Sequence, residues 1–143
     1  MPKIYRTMLA DGGKPKVGSE SKMLGVRIAP TPQADIPVDE QGVVYPQTGG
    51  MSVAPEWRKL PYFLVPKRLR ALRPDARGSN QLACWTLGQG AFKQGDLSDN
   101  LVLRPDPNGL ARHGLVEPKV EMSIETFQEA LAKTRDRWVI DEA

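Results

Sequence analysis

The segment GVVYPQTGGMSV, residues 42–53, joins two strand-forming ends through a pair of glycines. Valine and tyrosine favour extended backbone, so a strand is expected at the start of the segment and extended backbone at its end. Paired glycines let a ligand approach backbone amides closely, and Thr48 and Ser52 place hydroxyls on either side of Gly49-Gly50. A plain hairpin turn explains the same glycines equally well. The segment lacks the spacing of a P-loop and of a Rossmann fingerprint.

Turn-forming residues punctuate the rest of the chain. Thirteen prolines and thirteen glycines are spread over its 143 residues, which argues against long helices and for short strands. Apolar runs bounded by turn residues predict six strands: Ile4 to Leu9, Val43 to Tyr45, Leu82 to Leu87, Leu101 to Arg104, Gly114 to Val116 and Trp138 to Ile140. Residues 11–21 and 29–41 are predicted to be loops. We expect a compact α+β fold in which β-structure prevails, as a single domain over residues 1–143.

One segment near the C-terminus has a helical pattern. Apolar residues recur there at the helical period: Ile124, Phe127, Ala130 and Leu131. Ser123 is suited to cap the first turn, and Glu125 lies where the helix dipole favours an acid. The pattern predicts an amphipathic helix from Ile124 to Arg135.

The counts of cysteine and histidine exclude several kinds of site. The single cysteine, Cys84, cannot form an internal disulfide, and with one histidine, His113, no Cys/His metal cluster is expected. Cys84 lies in an apolar run and is expected to be a buried small hydrophobe. The tryptophans Trp57, Trp85 and Trp138 are expected to be packing residues.

No run of apolar residues has the length of a signal peptide or of a membrane span. We therefore expect a cytoplasmic protein without a cleaved signal peptide and without contact to a membrane. Delivery by a specialised secretion machine stays open, because such machines recognise other features.

Arg6 stands out in the first predicted strand. If Ile4 faces the core, the alternation of a strand turns Arg6 inward as well, and a buried arginine needs an anionic partner such as a phosphate. The alternative is an edge strand with Arg6 in water.

His113, at the entry to a predicted strand, is a second candidate. A neutral imidazole can bind a sugar hydroxyl or exchange a proton near neutral pH, and Glu117 or Glu121 could stabilise a cationic transition state. A lone histidine is also frequently structural.

Positive charge is concentrated in one segment, although the net charge of the chain is only +3. Lys67, Arg68, Arg70 and Arg73 lie within seven residues and would attract phosphates. A solvated basic face explains the cluster equally simply.

Four pieces in order carry a family resemblance: Tyr5-Arg6, Gly25-Val-Arg27, residues 42–53, and His113-x-x-Val-x-Pro118 before a helix. Together they resemble the small bacterial type VI secretion toxins grouped with the ADP-ribosyltransferase toxins, and the stand-alone relatives of these toxins. The similarity covers residues 3–10, 25–27, 42–53 and 113–131. The family pattern has a hydroxyl residue where this chain has Met51.

The resemblance implies a split, curved antiparallel β core with NAD lying in the cleft. It implies that NAD is bound by Tyr5, Arg6, Arg27, Thr48, Gly49, Gly50 and Ser52. It implies that catalysis uses Ser52 and His113 together with a late glutamate. Glu117 and Glu121 are the candidates for this carboxylate, but they are four residues apart, form no Glu-x-Glu pair, and neither aligns with the family's glutamate. The expected activity is mono-ADP-ribosyl transfer from NAD to an intracellular protein or nucleic acid, which arrests bacterial growth. An immunity or antitoxin protein is the expected partner.

Two other functions remain open from the sequence. A basic nucleic-acid-binding module without catalysis fits the cationic cluster, and an NAD glycohydrolase would use the same cleft with water as acceptor.

Overall fold

The computed structural model describes residues 1–106 and 113–142. The strands are β1 (Ile4–Asp11), β2 (Lys14–Pro15), β3 (Val43–Val44), β4 (Met51–Val53), β5 (Leu82–Leu87), β6 (Gly95–Ser98), β7 (Leu101–Pro105), β8 (Gly114–Pro118), β9 (Met122–Ser123) and β10 (Val139–Ile140). One α-helix, α1 (Ile124–Ala132), lies in the described ranges, with short 3-10 helices at Trp57–Lys59, Lys67–Leu69 and Arg135–Arg137.

The strands form antiparallel sheets. One four-stranded sheet has the order β10-β5-β1-β2 and a second has the order β4-β8-β7-β6, while β3 and β9 form a separate pair. The main core gathers apolar side chains from both four-stranded sheets and from α1, including Met8, Trp85, Leu103 and Phe127. The α+β class with a prevailing antiparallel β core is confirmed.

A backbone bridge between Tyr5 and Ala54 joins the two larger sheets. The amide of Tyr5 donates to the carbonyl of Ala54 at 2.8 Å, and the amide of Ala54 donates to the carbonyl of Tyr5 at 2.9 Å. Beyond this pair β1 continues along β5, whereas β4 continues along β8. The fold therefore contains the split between sheets that the resemblance implied.

All six predicted strands form, with ends that differ from the predicted ones by two residues or fewer. The sequence patterns predict no separate strand at β2, β4, β6 or β9. The first and last of these have two residues each, and β6 is an edge strand with a register irregularity between Asp96 and Ser98. Glycine and aspartate have low strand propensity, so pairing with β7 and the burial of Leu97 in the core stabilise this segment as a strand.

Helix α1 begins where predicted and ends three residues early. The Ser123 hydroxyl accepts a hydrogen bond from the amide of Thr126 at 3.1 Å, so Ser123 is the cap. At the other end, both the amide and the hydroxyl of Thr134 donate to the carbonyl of Leu131. In a continued α-helix, the carbonyl of Leu131 would accept a hydrogen bond from the amide of Arg135. Because Thr134 occupies this carbonyl, the chain continues as a 3-10 turn.

The predicted packing residues are confirmed. Trp57, Trp85 and Trp138 are buried, and Cys84 is fully buried.

In the described parts of the chain, no helix has both the length and the apolar character needed to cross a membrane.

Candidate functional site

A cleft of about 180 Å³ opens where the two large sheets separate. One wall comes from β1 and the opposite wall from β4, so the split itself forms the cavity. The residues that line it are Arg6, Thr7, Ser21, Ser52, Val53, Ala54, Lys59, Leu60, Pro61, Leu64 and His113. Three of the predicted site residues therefore share one cavity: Arg6, Ser52 and His113.

Arg6 is buried at the base of the split, with 7% of its surface exposed. Its guanidinium donates to the carbonyls of Ser52 at 2.7 Å, of Ser21 at 3.0 Å, and of Met23 at 3.0 and 3.2 Å. Burial lowers the pKa of Arg6 to about 10; the charge of Asp35 opposes this shift, and the charge of Arg27 adds to it. Arg6 thus stays cationic at neutral pH while carbonyl dipoles solvate it.

The inward orientation of Arg6 agrees with the strand alternation, and the edge-strand alternative is wrong. The expected anionic partner is replaced by three backbone carbonyls, one from β4 and two from the loop that follows β2. Arg6 therefore joins both sides of the split and holds the backbone of Ser52 in place.

Ser52 and His113 come together through the pairing of β4 with β8. Ser52 is half-buried in β4, where it pairs with Leu115, and Val53 pairs with Gly114. His113 directly precedes Gly114, so the ladder brings its exposed imidazole to the β4 side of the cleft. Ser52 and His113 thus line the same cavity. A hydroxyl and an imidazole can each donate and accept hydrogen bonds, so both could bind a sugar or an amide in the cleft.

Lys59 is a cleft residue that the sequence reasoning missed. It is exposed at the end of the 3-10 helix Trp57–Lys59, and it makes no ion pair with any other described residue. Beside it Leu60, Pro61 and Leu64 form an apolar rim. The sequence offered no periodic signal here, because the segment is held by turns.

The glycine pair has a packing role. A side-chain carbon on Gly49 would lie 2.3 Å from the carbonyl oxygen of Asp35, and one on Gly50 would lie 2.2 Å from that of Val116. The Gly50 amide also donates to the Asp35 carbonyl at 3.0 Å. Close approach of backbone to backbone explains both glycines, and no hairpin turn forms there, because β3 pairs with β9 and β4 with β8.

Arg27 is engaged by a neighbouring acid. Its guanidinium donates to both carboxylate oxygens of Asp35, at 2.9 and 3.2 Å, and its amide donates to the same carboxylate at 2.7 Å. This hydrogen bonding to Asp35 raises the pKa of Arg27. The Arg27–Asp35 pair fixes the loop around Asp35. Gly49 packs against the backbone of this loop, and the amide of Gly50 donates to the carbonyl of Asp35.

Tyr5 and Thr48 lie outside the cleft lining. The Tyr5 hydroxyl donates to the carboxylate of Asp141 at 2.6 Å, on the other face of β1 from Arg6. Thr48 is exposed, and its hydroxyl donates to the carbonyl of Tyr45 at 2.7 Å.

Neither of the two glutamates reaches the cleft. Glu117 is buried in β8 and accepts from the guanidinium of Arg104 at 2.7 Å. This pairing raises the pKa of Arg104. Glu121 is exposed beyond β8, near Tyr45. Among the described residues that line the cleft, none is acidic.

The predicted basic cluster is largely committed to internal contacts. Arg68 pairs with the carboxylate of Glu142 at 2.7 Å, and Arg73 pairs with Asp75 at 3.0 Å. Arg70 donates to the carbonyl of Ala76 at 2.9 Å. These bonds hold the segment between β4 and β5 and tie it to Glu142, while Lys67, Arg68 and Arg70 stay exposed to solvent.

Comparison with protein families shows a match to the model described as "Tse2 ADP-ribosyltransferase toxin", which covers residues 4–139. This chain belongs to the Tse2 ADP-ribosyltransferase toxin family. The matched range runs from the start of β1 to the start of β10, and thus includes every described cleft residue. No curated protein matches the chain.

Membership of the Tse2 family confirms the resemblance that the four sequence pieces carried. It identifies the protein as a toxin of the ADP-ribosyltransferase class, for which NAD is in general the substrate.

Proposed function

We propose that this Tse2-family protein binds NAD in the cleft between β1 and β4 and transfers a single ADP-ribose to a macromolecule in the bacterial cytoplasm, which arrests growth. The observation that carries the proposal is the convergence of Ser52, His113 and Lys59 on one cavity at the split of the sheets. An immunity or antitoxin protein would then be needed to protect the producing cell.

Each cleft residue has a distinct role in this proposal. Lys59 pairs with the pyrophosphate, because it is the exposed cation on the wall, whereas Arg6 is occupied by carbonyls. The Ser52 hydroxyl binds the nicotinamide end, and the His113 imidazole binds a ribose hydroxyl. Arg6 is a positioning residue, since it acts through the backbone of Ser52.

The reaction follows from this placement. The bond between the ribose carbon and the nicotinamide nitrogen breaks, and nicotinamide leaves with the electron pair. The ribosyl cation is then captured by a nucleophile of the acceptor, which loses a proton to water or to His113. Backbone dipoles and Ser52 act on the developing charge in a partly enclosed cleft, where electrostatic stabilisation is stronger than in water. Glu117 and Glu121 have no direct part in this proposal, because Glu117 is paired with Arg104 and neither residue lines the cleft.

The experiment is controlled expression in bacteria of the wild type, Ser52→Ala and His113→Ala. Growth, cellular NAD and the transfer of label from NAD are measured together. We expect the wild type to arrest growth and to label a macromolecule, and each variant to lose at least tenfold in transfer, typical for a single group of this kind.

Ser98→Ala is the matched control. Ser98 is also a half-buried serine in a strand, and it lies at the opposite edge of the same sheet, in β6. A wild type that leaves NAD intact, or a Ser98→Ala protein as inactive as Ser52→Ala, would contradict the proposal. Loss of NAD without label on a macromolecule would instead establish hydrolysis by water.

A further inference from the structure

The segment beside the cleft carries the excess positive charge of the chain. Residues 56–78 contain seven Lys and Arg but two Asp and Glu, a net charge of +5 in a chain whose total is +3. The remaining residues are therefore slightly negative as a set. A charge separation of this kind attracts a polyanion to one side of the molecule.

The same segment forms the apolar rim of the cleft and turns two aromatic rings outward. Between Pro61 and Leu64, which line the cleft, Tyr62 is 47% exposed and Phe63 is 58% exposed. Their ring centroids are 5.7 Å apart in an edge-to-face arrangement. Exposed aromatic rings at the mouth of a cleft are typical of a contact surface.

A second hollow of about 450 Å³ adjoins Tyr62 and is lined by Tyr62, Arg70, Pro74, Asp75 and Arg77. We call this hollow, together with Phe63, the basic-aromatic groove. The guanidinium of Arg77 lies 5.9 Å from the centre of the Tyr62 ring. Within the described part of the chain Arg77 has no ion pair, and Arg70 uses only its Nε, on the carbonyl of Ala76.

We infer that the basic-aromatic groove binds the acceptor, and that this acceptor is a nucleic acid with unpaired bases. The inference rests on the proposed function of the neighbouring cleft. Unpaired bases stack on exposed aromatic rings, and guanidinium groups bind the phosphates between them. An acidic protein would satisfy the cations, but the rings of Tyr62 and Phe63 favour a ligand with planar faces.

The position of the groove fits the transfer step. A strand held on Tyr62 and Phe63 passes the mouth of the cleft, since Pro61 and Leu64 on either side of them line it. A nitrogen or oxygen of the nucleic acid then forms the bond to the ribose carbon as nicotinamide leaves with its electron pair. The proton of that nucleophile is released to water.

The test measures the binding of a short fluorescein-labelled single-stranded RNA by anisotropy, at several salt concentrations, and then transfer of labelled ADP-ribose to that RNA. The variants are Phe63→Ala, Arg77→Gln and Arg77→Lys. We expect Phe63→Ala and Arg77→Gln to weaken binding about tenfold, as the loss of one stacked base or one phosphate contact does. Arg77→Lys keeps the charge and should lose less, and affinity should fall steeply with salt.

Lys133→Gln is the control, because Lys133 is an exposed cation at the end of α1, outside residues 56–78. The inference is overturned if the RNA does not bind, if Lys133→Gln weakens binding as much as Arg77→Gln, or if NAD is consumed without transfer of labelled ADP-ribose to the RNA. If RNA binds in the groove while NAD stays intact, the proposed function fails and the groove stands as a nucleic-acid site.

Discussion

The guanidinium of Arg6 donates to the carbonyl of Ser52 at 2.7 Å, across the point where β1 and β4 separate. A buried charge thus holds the two sheets at a fixed distance and fixes the backbone of a serine in the cleft. Arginine suits this place because its planar group can bind several carbonyls at once.

Replacement of Arg6 by alanine should lower the free energy of unfolding by about 3 kcal/mol or more, because three carbonyls lose their donor. Urea denaturation of Arg6→Ala and of the wild type measures this difference. Arg27→Ala is the reference, since Arg27 is more exposed and bonds one carboxylate. Unchanged stability together with weaker NAD binding would instead make Arg6 a ligand-binding residue.

Lys59→Met should raise the KM for NAD about tenfold and change kcat little, because one charge-assisted contact to the pyrophosphate is lost. Lys59→Arg should restore most of the affinity. Lys67→Met removes an exposed cation of the same segment that does not line the cleft. Equal effects of Lys59→Met and Lys67→Met would refute a specific role for Lys59.

Gly50→Ala should destabilise the fold by about 2 kcal/mol or more, because the added carbon would overlap the carbonyl of Val116. Gly12→Ala is the contrasting variant. Gly12 has open space around it and a φ of +63°. Its replacement by alanine should therefore cost only the strain of the left-handed backbone conformation, about 1 kcal/mol. Thermal unfolding of both variants decides the matter, and a tolerated Gly50→Ala would show that the backbone can move apart.

The thiol of Cys84 should be inert in the folded protein. Burial raises its pKa to about 12, and the charge of Glu142 adds to the effect. A thiol reagent at pH 8 should modify Cys84 only after unfolding in urea. Rapid labelling of the native protein would contradict the buried position.

The same shift predicts a change of stability with pH. A free thiol titrates near pH 8.5, so above this pH the unfolded chain loses the proton while the folded chain keeps it. Stability from Cys84 is therefore complete below about pH 8.5 and falls as the pH rises toward 12. Cys84→Ala should show a smaller decline over that range than the wild type, and an identical decline would exclude the thiol as its cause.

Local patterns in the sequence predicted the elements but only part of the cleft. The two-residue alternation of β1 correctly turned Arg6 inward, and the capping serine correctly marked the start of α1. The partners of Arg6 are carbonyls of residues distant along the chain, and no side-chain pattern encodes them. For the same reason the sequence predicts that Gly49 and Gly50 are open to a ligand, whereas strand and loop backbone pack directly against them.

Glu117 shows most clearly why local sequence patterns cannot identify all residues of the site. A carboxylate near His113 in the chain looked available for catalysis, yet alternation along β8 turns it toward Arg104, and the pairing of β7 with β8 brings that arginine close. No sequence pattern marks Lys59 as a cleft residue, because its position on the cleft wall depends on how the surrounding turns fold and not on a strand or helix repeat.

The pairing of the strands also sets an order during protein synthesis. β1 obtains its main partner only with β5, and β4 obtains its partner only with β8, which ends at Pro118. A ribosome must therefore make most of the chain before the two walls can face each other. The growing polypeptide carries Arg6, Ser52 and Lys59 from an early stage, but it has no cleft until the late strands emerge.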